Sequence, residues 1–168
     1  MTDFTTIAYL LTGSPIQQRV HTIITRHRLM EKLAMFSPLL AGTFPLGIDI
    51  PGSDLDILCH FTDPDVFLES ITTTFGNERN FSTRTNNGRI VANSYLEEFP
   101  IELFGQNIPT TEQSGYRHLI VEEKILLEQG PAFKAQIIEL KQTGTKTEPA
   151  FAQLLGLSGD PYLALLDY

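Results

Sequence analysis

The stretch Pro38-Leu-Leu-Ala-Gly-Thr-Phe-Pro-Leu-Gly-Ile-Asp-Ile-Pro-Gly-Ser-Asp-Leu-Asp-Ile-Leu-Cys-His-Phe61 decides the fold. It begins with a short apolar run, passes through a loop rich in glycine and proline, and ends in a second apolar run. Two such runs around a loop predict two strands, at about 37–43 and 54–61. Because the loop and the start of the second strand carry polar residues, they are the first candidates for a functional site.

Two carboxylates, Asp54 and Asp56, stand at the start of the second strand. Side chains at i and i+2 of a strand leave the same face, roughly 6.5–7 Å apart along the chain. Carboxylate oxygens suit hard divalent cations, and the amides and hydroxyl of the Gly42-Thr43 turn suit a phosphate. Metal and phosphate together indicate phosphoryl-group chemistry, although Asp-x-Asp and Gly-Ser-Asp also occur in ordinary turns.

The whole stretch resembles nucleotidyltransferases of the DNA polymerase beta superfamily. Small bacterial members typically have Gly-Ser after an apolar strand, then a loop with one further glycine, then Ser-Asp-x-Asp. This chain has Gly42-Thr43, Gly47 and Ser53-Asp54-Leu55-Asp56 in the same order. It departs from the pattern at Thr43, which keeps the hydroxyl of the usual serine. It also departs at Leu46, where many members have an arginine, so one expected phosphate contact is missing.

The superfamily uses a third carboxylate from a later strand, so the resemblance implies one here. Glu102, in Phe99-Pro-Ile-Glu-Leu-Phe-Gly105, is the best match, because strand alternation points it away from its apolar neighbours. Glu97 and Glu98 are the alternatives. The purely structural alternative is that Glu102 lies at the edge of the sheet and faces water.

By this resemblance, Asp54, Asp56 and Glu102 are the expected catalytic residues and the ligands of Mg²⁺ or Mn²⁺. The expected reaction moves a nucleoside monophosphate from an NTP to a hydroxyl group by two-metal catalysis. His118 is a candidate for proton transfer. An ion pair, a helix cap or plain exposure would also explain the basic residues after position 110. The candidate nucleotide-binding residues are Gly42, Thr43, Ser53, Arg117 and Lys146.

The formal net charge of −8 at pH 7 argues against long nucleic acid as a partner, since no Lys/Arg run offsets the average field. A nucleotide stays compatible because a metal ion offsets its charge, and the expected acceptor is a small hydroxylated molecule or a protein side chain. No apolar run approaches the ~20 residues of a membrane span, and Met1-Thr-Asp-Phe-Thr5 does not read as a signal peptide. The single Cys59 excludes an intramolecular disulfide, so a cytoplasmic setting is expected.

The expected fold class is α+β, a nucleotidyltransferase-like mixed β-sheet with an N-terminal helix and a helical C-terminal part. We expect one domain over residues 1–168, with a core at about 14–110 and C-terminal helices at about 111–168. Residues 1–13 are expected to be a loosely held lead-in. A β-meander is predicted at 79–105, with a hairpin turn at Asn86-Asn-Gly-Arg89. Helices are predicted at about 15–34, 64–75, from Thr110 or Thr111 to 129, 131–143, 148–156 and 160–167.

The resemblance extends over nearly the whole chain to an uncharacterised bacterial branch of the superfamily, a domain of unknown function. Because that branch implies no activity, a non-catalytic nucleotide-binding or interaction module on the same fold stays open. A nucleotide-modifying antitoxin is also compatible, though no partner-binding signature supports it. A hydrolase that uses Asp54 and Asp56 is disfavoured, because glycosidase carboxylates flank a sugar from two sides. The stretches that carry this wider likeness are 47–56, 101–106, 116–118 and 145–151.

Overall fold

The computed structural model describes residues 1–168 and contains a five-stranded mixed sheet. The strand order is β1-β2-β5-β4-β3, and only β2 and β5 run parallel. The predicted α+β class and mixed sheet are confirmed. The strands are β1 (Leu39–Ala41), β2 (Leu55–His60), β3 (Ser82–Asn86), β4 (Arg89–Leu96) and β5 (Phe99–Gln106). The helices are α1 (Pro15–Arg26), α2 (Leu29–Lys32), α3 (Thr43–Leu46), α4 (Pro64–Phe75), α5 (Ser114–Gln142), α6 (Thr147–Leu155) and α7 (Pro161–Leu166).

One face of the sheet is apolar and packs against α1 and α4 in the larger of two hydrophobic clusters. Because side chains alternate along a strand, the residues between these apolar positions face the opposite side, where Asp56 and Glu102 lie. The apolar face therefore fixes which side of the sheet is free for chemistry. The cluster joins Leu55, Ile57, Cys59, Ile101 and Leu103 of the sheet to Val20, Ile23, Ile24, Phe67, Ile71 and Phe75 of the helices.

The predicted helix starts at 15 and 64 are both observed, each directly after a capping residue. Ser14 forms a capping box with Gln17 at the start of α1, and Asp63 caps α4. The prediction of one helix over 15–34 is wrong, because α1 ends at Arg26 and Arg28 has a left-handed φ of 53°. Such a break commonly carries glycine, so this sequence gave no signal for it.

The expectation of a loosely held N-terminal segment is also wrong. Phe4 and Leu10 are almost completely buried, and Ala8–Thr12 forms a 3-10 helix. The backbone amide of Thr2 donates a hydrogen bond to Glu123 of α5, at 2.9 Å. Two apolar residues six positions apart fit neither the helical nor the strand period, so tertiary packing orders a segment that lacks a periodic pattern.

The predicted β-meander is observed as β3, β4 and β5. Asn87 and Gly88 have φ values of 49° and 73°, which is the conformation of a tight two-residue hairpin turn. The last strand of the meander then pairs with β2 in parallel, with Leu55 opposite Ile101. This pairing places the meander beside the strand that begins the chemistry-bearing stretch.

The C-terminal part is helical, as predicted, and forms the second hydrophobic cluster. α5 begins at Ser114 rather than at 110 or 111, because residues Thr110–Glu112 form a 3-10 helix first. The boundary predicted between the helices ending at 129 and beginning at 131 is a kink inside α5, with φ 80° and ψ −173° at Gly130. No helix is both long enough and apolar enough to cross a membrane. The second cluster joins Phe133, Ile137, Phe151 and Leu165 of the helices to Phe4, Leu46 and Ile48.

Candidate active site

The loop after β1 makes a close approach to β2 that only glycine permits. Gly42 has φ 71° and ψ −145°, and a Cβ atom there would overlap Oδ2 of Asp56. The backbone at Gly42 therefore lies directly against the carboxylate of Asp56. The expected turn at Gly42-Thr43 is the start of the short helix α3, so Thr43 is its first residue.

The three predicted carboxylates lie at the same end of the sheet and on the same cavity. Asp56 and Glu102 are direct neighbours in the parallel pairing of β2 and β5, and Asp54 immediately precedes β2. All three line one cavity of about 590 Å³. The pairing of β5 with β2 is thus what brings a residue 46 positions away beside Asp56.

The carboxylates of this cluster carry like charges and repel one another. Burial, and then the charges of Asp54, Glu102 and Glu148, raise the pKa of Asp56 to about 8. Burial and Asp54 also raise the pKa of Glu102, while the guanidinium of Arg84, 3.6 Å from it, acts in the opposite direction. Carboxylates this close disfavour joint ionisation unless a cation accompanies them.

The cavity lies between the polar face of the sheet and helices α5 and α6. Its walls include six acidic and three basic residues. Among the predicted nucleotide-binding residues, four contribute to the wall: Gly42, Thr43, Ser53 and Lys146. The acidic residues are Asp54, Asp56, Glu102, Glu112, Glu122 and Glu148, and the basic residues are Arg89, Lys141 and Lys146.

Arg117 is the predicted binding residue that the fold does not bring to the cavity. It is exposed on α5 and is absent from the cavity wall, whereas the next residue, His118, is buried and lines it. Successive helix residues point about 100° apart, so only one of two neighbours can face the sheet. Glu97 and Glu98, the alternatives for the third carboxylate, form ion pairs with Arg19 of α1 and are also outside the cavity.

Ser53 closes a turn at the rim of the cavity. Its hydroxyl accepts a hydrogen bond from the amide of Ile50 at 3.0 Å, and its own amide donates to the carbonyl of Ile50 at 2.9 Å. The side chain of Ser53 therefore shapes the loop that leads into Asp54.

Side chains from distant helices hold the loop between β1 and β2 in place. Gln17 of α1 donates to the carbonyl of Phe44 at 2.7 Å. Lys134 of α5 donates to the carbonyl of Leu46 at 2.6 Å. Lys141, which is buried, donates to the carbonyl of Ile48 at 2.8 Å. No local pattern in the sequence indicates these contacts, because each joins residues far apart in the chain.

The wall opposite the sheet carries a second polar cluster, which the sequence analysis missed except for His118. Nε2 of His118 lies 2.9 Å from the carbonyl of Tyr162, so this nitrogen is the donor, and Nδ1 faces Glu148 at 3.7 Å. Glu122, one helical turn after His118, is buried on the cavity wall, and its Oε1 has no hydrogen-bond partner. The i, i+4 spacing of His118 and Glu122 on α5 was the only sequence signal available.

The donor chemistry of the first cluster fits a hard divalent cation. No group of three His, Cys, Asp or Glu side chains has the spacing of a preformed metal site. Even so, Asp54, Asp56 and Glu102 offer only oxygen atoms and converge on one cavity. The charge of Asp54 raises the pKa of both Asp56 and Glu102, and the charge of Glu102 raises that of Asp56. A divalent cation would relieve that repulsion.

The sheet, its helical flank and the carboxylate-bearing strand pair define a nucleotidyltransferase-like fold. The chain superposes on the polymerase core of TRAMP, an RNA surveillance complex, with a TM-score of 0.54 and 11% identity over 95% of this chain and 50% of that one. It superposes on a cytoplasmic RNA terminal U-transferase with a TM-score of 0.57 and 12% identity, over 84% of this chain and 46% of that one. It therefore spans about half the length of each, and likeness at this identity shows the fold alone.

The family follows from the sequence itself. Residues 22–168 match the family described as a domain of unknown function (DUF4269), and the chain belongs to that family. No protein with a curated description matches the chain. This match confirms the expected domain of unknown function, and the two superpositions confirm the expected nucleotidyltransferase-like fold.

Proposed function

We propose that this protein transfers a nucleoside monophosphate from an NTP to a hydroxyl group of a small molecule or a protein. The observation that carries the proposal is the pairing of Asp56 with Glu102 on parallel strands, with Asp54 beside them and the backbone of Gly42 against Asp56. The nucleotidyltransferase-like fold supports it.

In this reaction a bond forms between the acceptor oxygen and the α-phosphorus, and the bond to the bridging oxygen of pyrophosphate breaks. Asp54, Asp56 and Glu102 would hold one or two Mg²⁺ or Mn²⁺ ions, which neutralise charge on the attacking and leaving oxygens. Glu102, on the strand beside Asp56, would be placed to accept the proton of the acceptor hydroxyl.

The other cavity residues have roles in binding. The backbone at Gly42 and Thr43 and the turn closed by Ser53 border the cavity next to the carboxylates, where the β- and γ-phosphates would lie. Lys146, on the opposite wall, offers a positive charge to the same phosphates. Arg117 is not part of this proposal, because it lies outside the cavity.

The test is calorimetric titration of ATP, GTP, CTP and UTP into the protein with and without Mg²⁺. We expect metal-dependent binding of at least one nucleotide, and its loss in Asp54→Asn and Asp56→Asn. Asp65→Asn is the matched control, since Asp65 is an exposed aspartate on α4, which packs on the other face of the sheet. Binding that persists in both site variants would contradict the proposed site.

A nucleotide-binding module without transfer is the second candidate, and Leu46 favours it. This residue is buried in the second hydrophobic cluster, so the phosphate contact that an arginine would make there is absent. Release of pyrophosphate distinguishes the two functions. Nucleotide binding without any pyrophosphate release in the presence of candidate acceptors would favour the module.

A further inference from the structure

The cavity wall built by α5 contains two buried hydrogen-bond acceptors that nothing in the protein satisfies. They are Oε1 of Gln113, at the start of the helix, and Oε1 of Glu122. Gln113 is 1% exposed and Glu122 is 4% exposed, and both line the cavity. Buried polar atoms without a partner are rare in proteins, so each requires an explanation.

The orientation of the Gln113 amide is fixed by its nitrogen. Nε2 donates to the carbonyls of Cys59 and Ile108, both at 2.9 Å. Reversing the amide would place its oxygen against two carbonyl oxygens, so Oε1 must be the atom without a partner. The group that completes this amide is therefore a hydrogen-bond donor.

Oε1 of Glu122 needs a donor as well, and a positively charged donor would also let this buried carboxyl ionise. Burial, and then the charge of Glu148, raise its pKa well above the usual value. Lys141 is near enough to oppose this effect, but it donates to the carbonyl of Ile48 instead. A buried carboxylate with a second carboxylate beside it is stabilised when a cation enters between them.

The net charge of the cavity wall also favours a positively charged occupant. Its wall has six acidic residues against three basic ones. An NTP bound with two divalent cations is close to neutral, so a bound nucleotide would leave this acidic excess in place. The remaining occupant of the cavity, the acceptor, is the molecule that can offset it.

We infer that the acceptor is a small hydroxylated amine, whose ammonium group is bound by Glu122 and Glu148 and whose further donor reaches Gln113. This inference rests on the proposed transferase function. The ammonium anchors the acceptor on the α5 and α6 wall, and a hydroxyl of the same molecule faces Glu102 across the cavity. The hydroxyl oxygen forms the bond to the α-phosphorus, the bond from that phosphorus to the bridging oxygen breaks to release pyrophosphate, and the hydroxyl proton goes to Glu102.

The test is binding of three sugars that differ in one group: glucosamine, N-acetylglucosamine and glucose. Amide chemical shifts of the ¹⁵N-labelled protein are followed during millimolar titrations without metal or nucleotide. We expect glucosamine to shift amides around Gln113, Glu122 and Glu148, and the two uncharged sugars to have little effect. Equal shifts with all three sugars, or none with glucosamine, would overturn the inference.

Two variants and one control test which side chains bind the ammonium group of glucosamine. Glu122→Gln keeps the shape of the side chain and removes its charge, and we expect glucosamine affinity to fall by about tenfold or more. Glu148→Gln, at a less buried site, should weaken binding in the same direction, so the test survives if the first variant does not fold. Glu139→Gln, an exposed carboxylate of the same helix, should change nothing. Unchanged affinity in both site variants contradicts the inference.

The glucosamine titration and the nucleotide titration can each succeed or fail independently of the other. Because the titration contains neither metal nor NTP, failure of nucleotide binding leaves the glucosamine result intact. Conversely, metal-dependent NTP binding with no preference for the amine would keep the proposed transferase function and remove this acceptor class.

Discussion

Asp56→Asn should stabilise the metal-free protein at neutral pH, although it removes the central residue of the candidate site. The pKa of Asp56 is raised from 3.8 to about 8, first by burial and then by neighbouring carboxylates. Between these values the folded protein holds a proton that the unfolded chain has released. The free energy of unfolding therefore falls as pH rises, by at most about 1.4 kcal/mol per pH unit. The stability that comes from the proton held by Asp56 is fully present below about pH 4 and lost by about pH 8.

Between pH 5 and pH 7 the free energy of unfolding of the wild type falls by at most ~3 kcal/mol from this cause. We expect roughly half of this fall, because the cavity is open to water and the effective dielectric is high. The assay is urea unfolding in EDTA across this range, for the wild type, Asp56→Asn and the control Asp65→Asn. The stability advantage of Asp56→Asn over the wild type should grow with pH. When Mg²⁺ replaces EDTA, it should stabilise the wild type and Asp65→Asn but not Asp56→Asn. A variant that is less stable than the wild type at pH 7, or that has the same pH dependence, would refute the reasoning.

Two further substitutions test the geometry of the site. Gly42→Ala should cost at least ~1–2 kcal/mol from its positive φ and should weaken Mg-ATP binding, because the new methyl group displaces Asp56. Urea unfolding and calorimetry measure both effects. Gly144→Ala is the control, with a φ of 99° and no neighbour near its Cβ, so it should lose stability but keep binding. Lys141→Met should cost ~1–3 kcal/mol in urea unfolding, because it leaves the buried carbonyl of Ile48 without its donor. Unchanged stability would show that this bond does not hold the loop.

The carboxylates could be found from the sequence because their placement depends on local rules. Two residues at i and i+2 on a strand share a face whatever the rest of the chain does. Glu102 follows from the same alternation within its own strand. What the local rules do not supply is the parallel pairing of β2 with β5, which sets Asp56 opposite Glu102. The likeness to a known superfamily supplied the expectation that Glu102 is the third carboxylate, but it did not predict this pairing.

The functional residues of the cavity wall opposite the sheet could not be predicted from such local rules. The helix α5 is broadly apolar, so its sequence does not show which of its polar residues faces the sheet, and Arg117 was chosen together with His118. Apart from the i, i+4 spacing of Glu122 from His118, no motif marks Glu122 or Gln113, because their significance lies in partners they lack. An absent hydrogen bond is a property of the packed chain and leaves no pattern in the sequence.

The leucine at position 46 shows why the helices belong to the site as well as to the core. Leu46 packs in the second cluster, and its carbonyl accepts a hydrogen bond from Lys134. An arginine here would bring a guanidinium into an apolar cluster beside an ammonium group, at a large cost in desolvation. Positive charge instead reaches the cavity through Lys141 of α5 and Lys146 just before α6, together with Arg89 of β4. One wall of the cavity and five of its nine charged residues come from the chain after residue 110, so a fragment ending there would lack both.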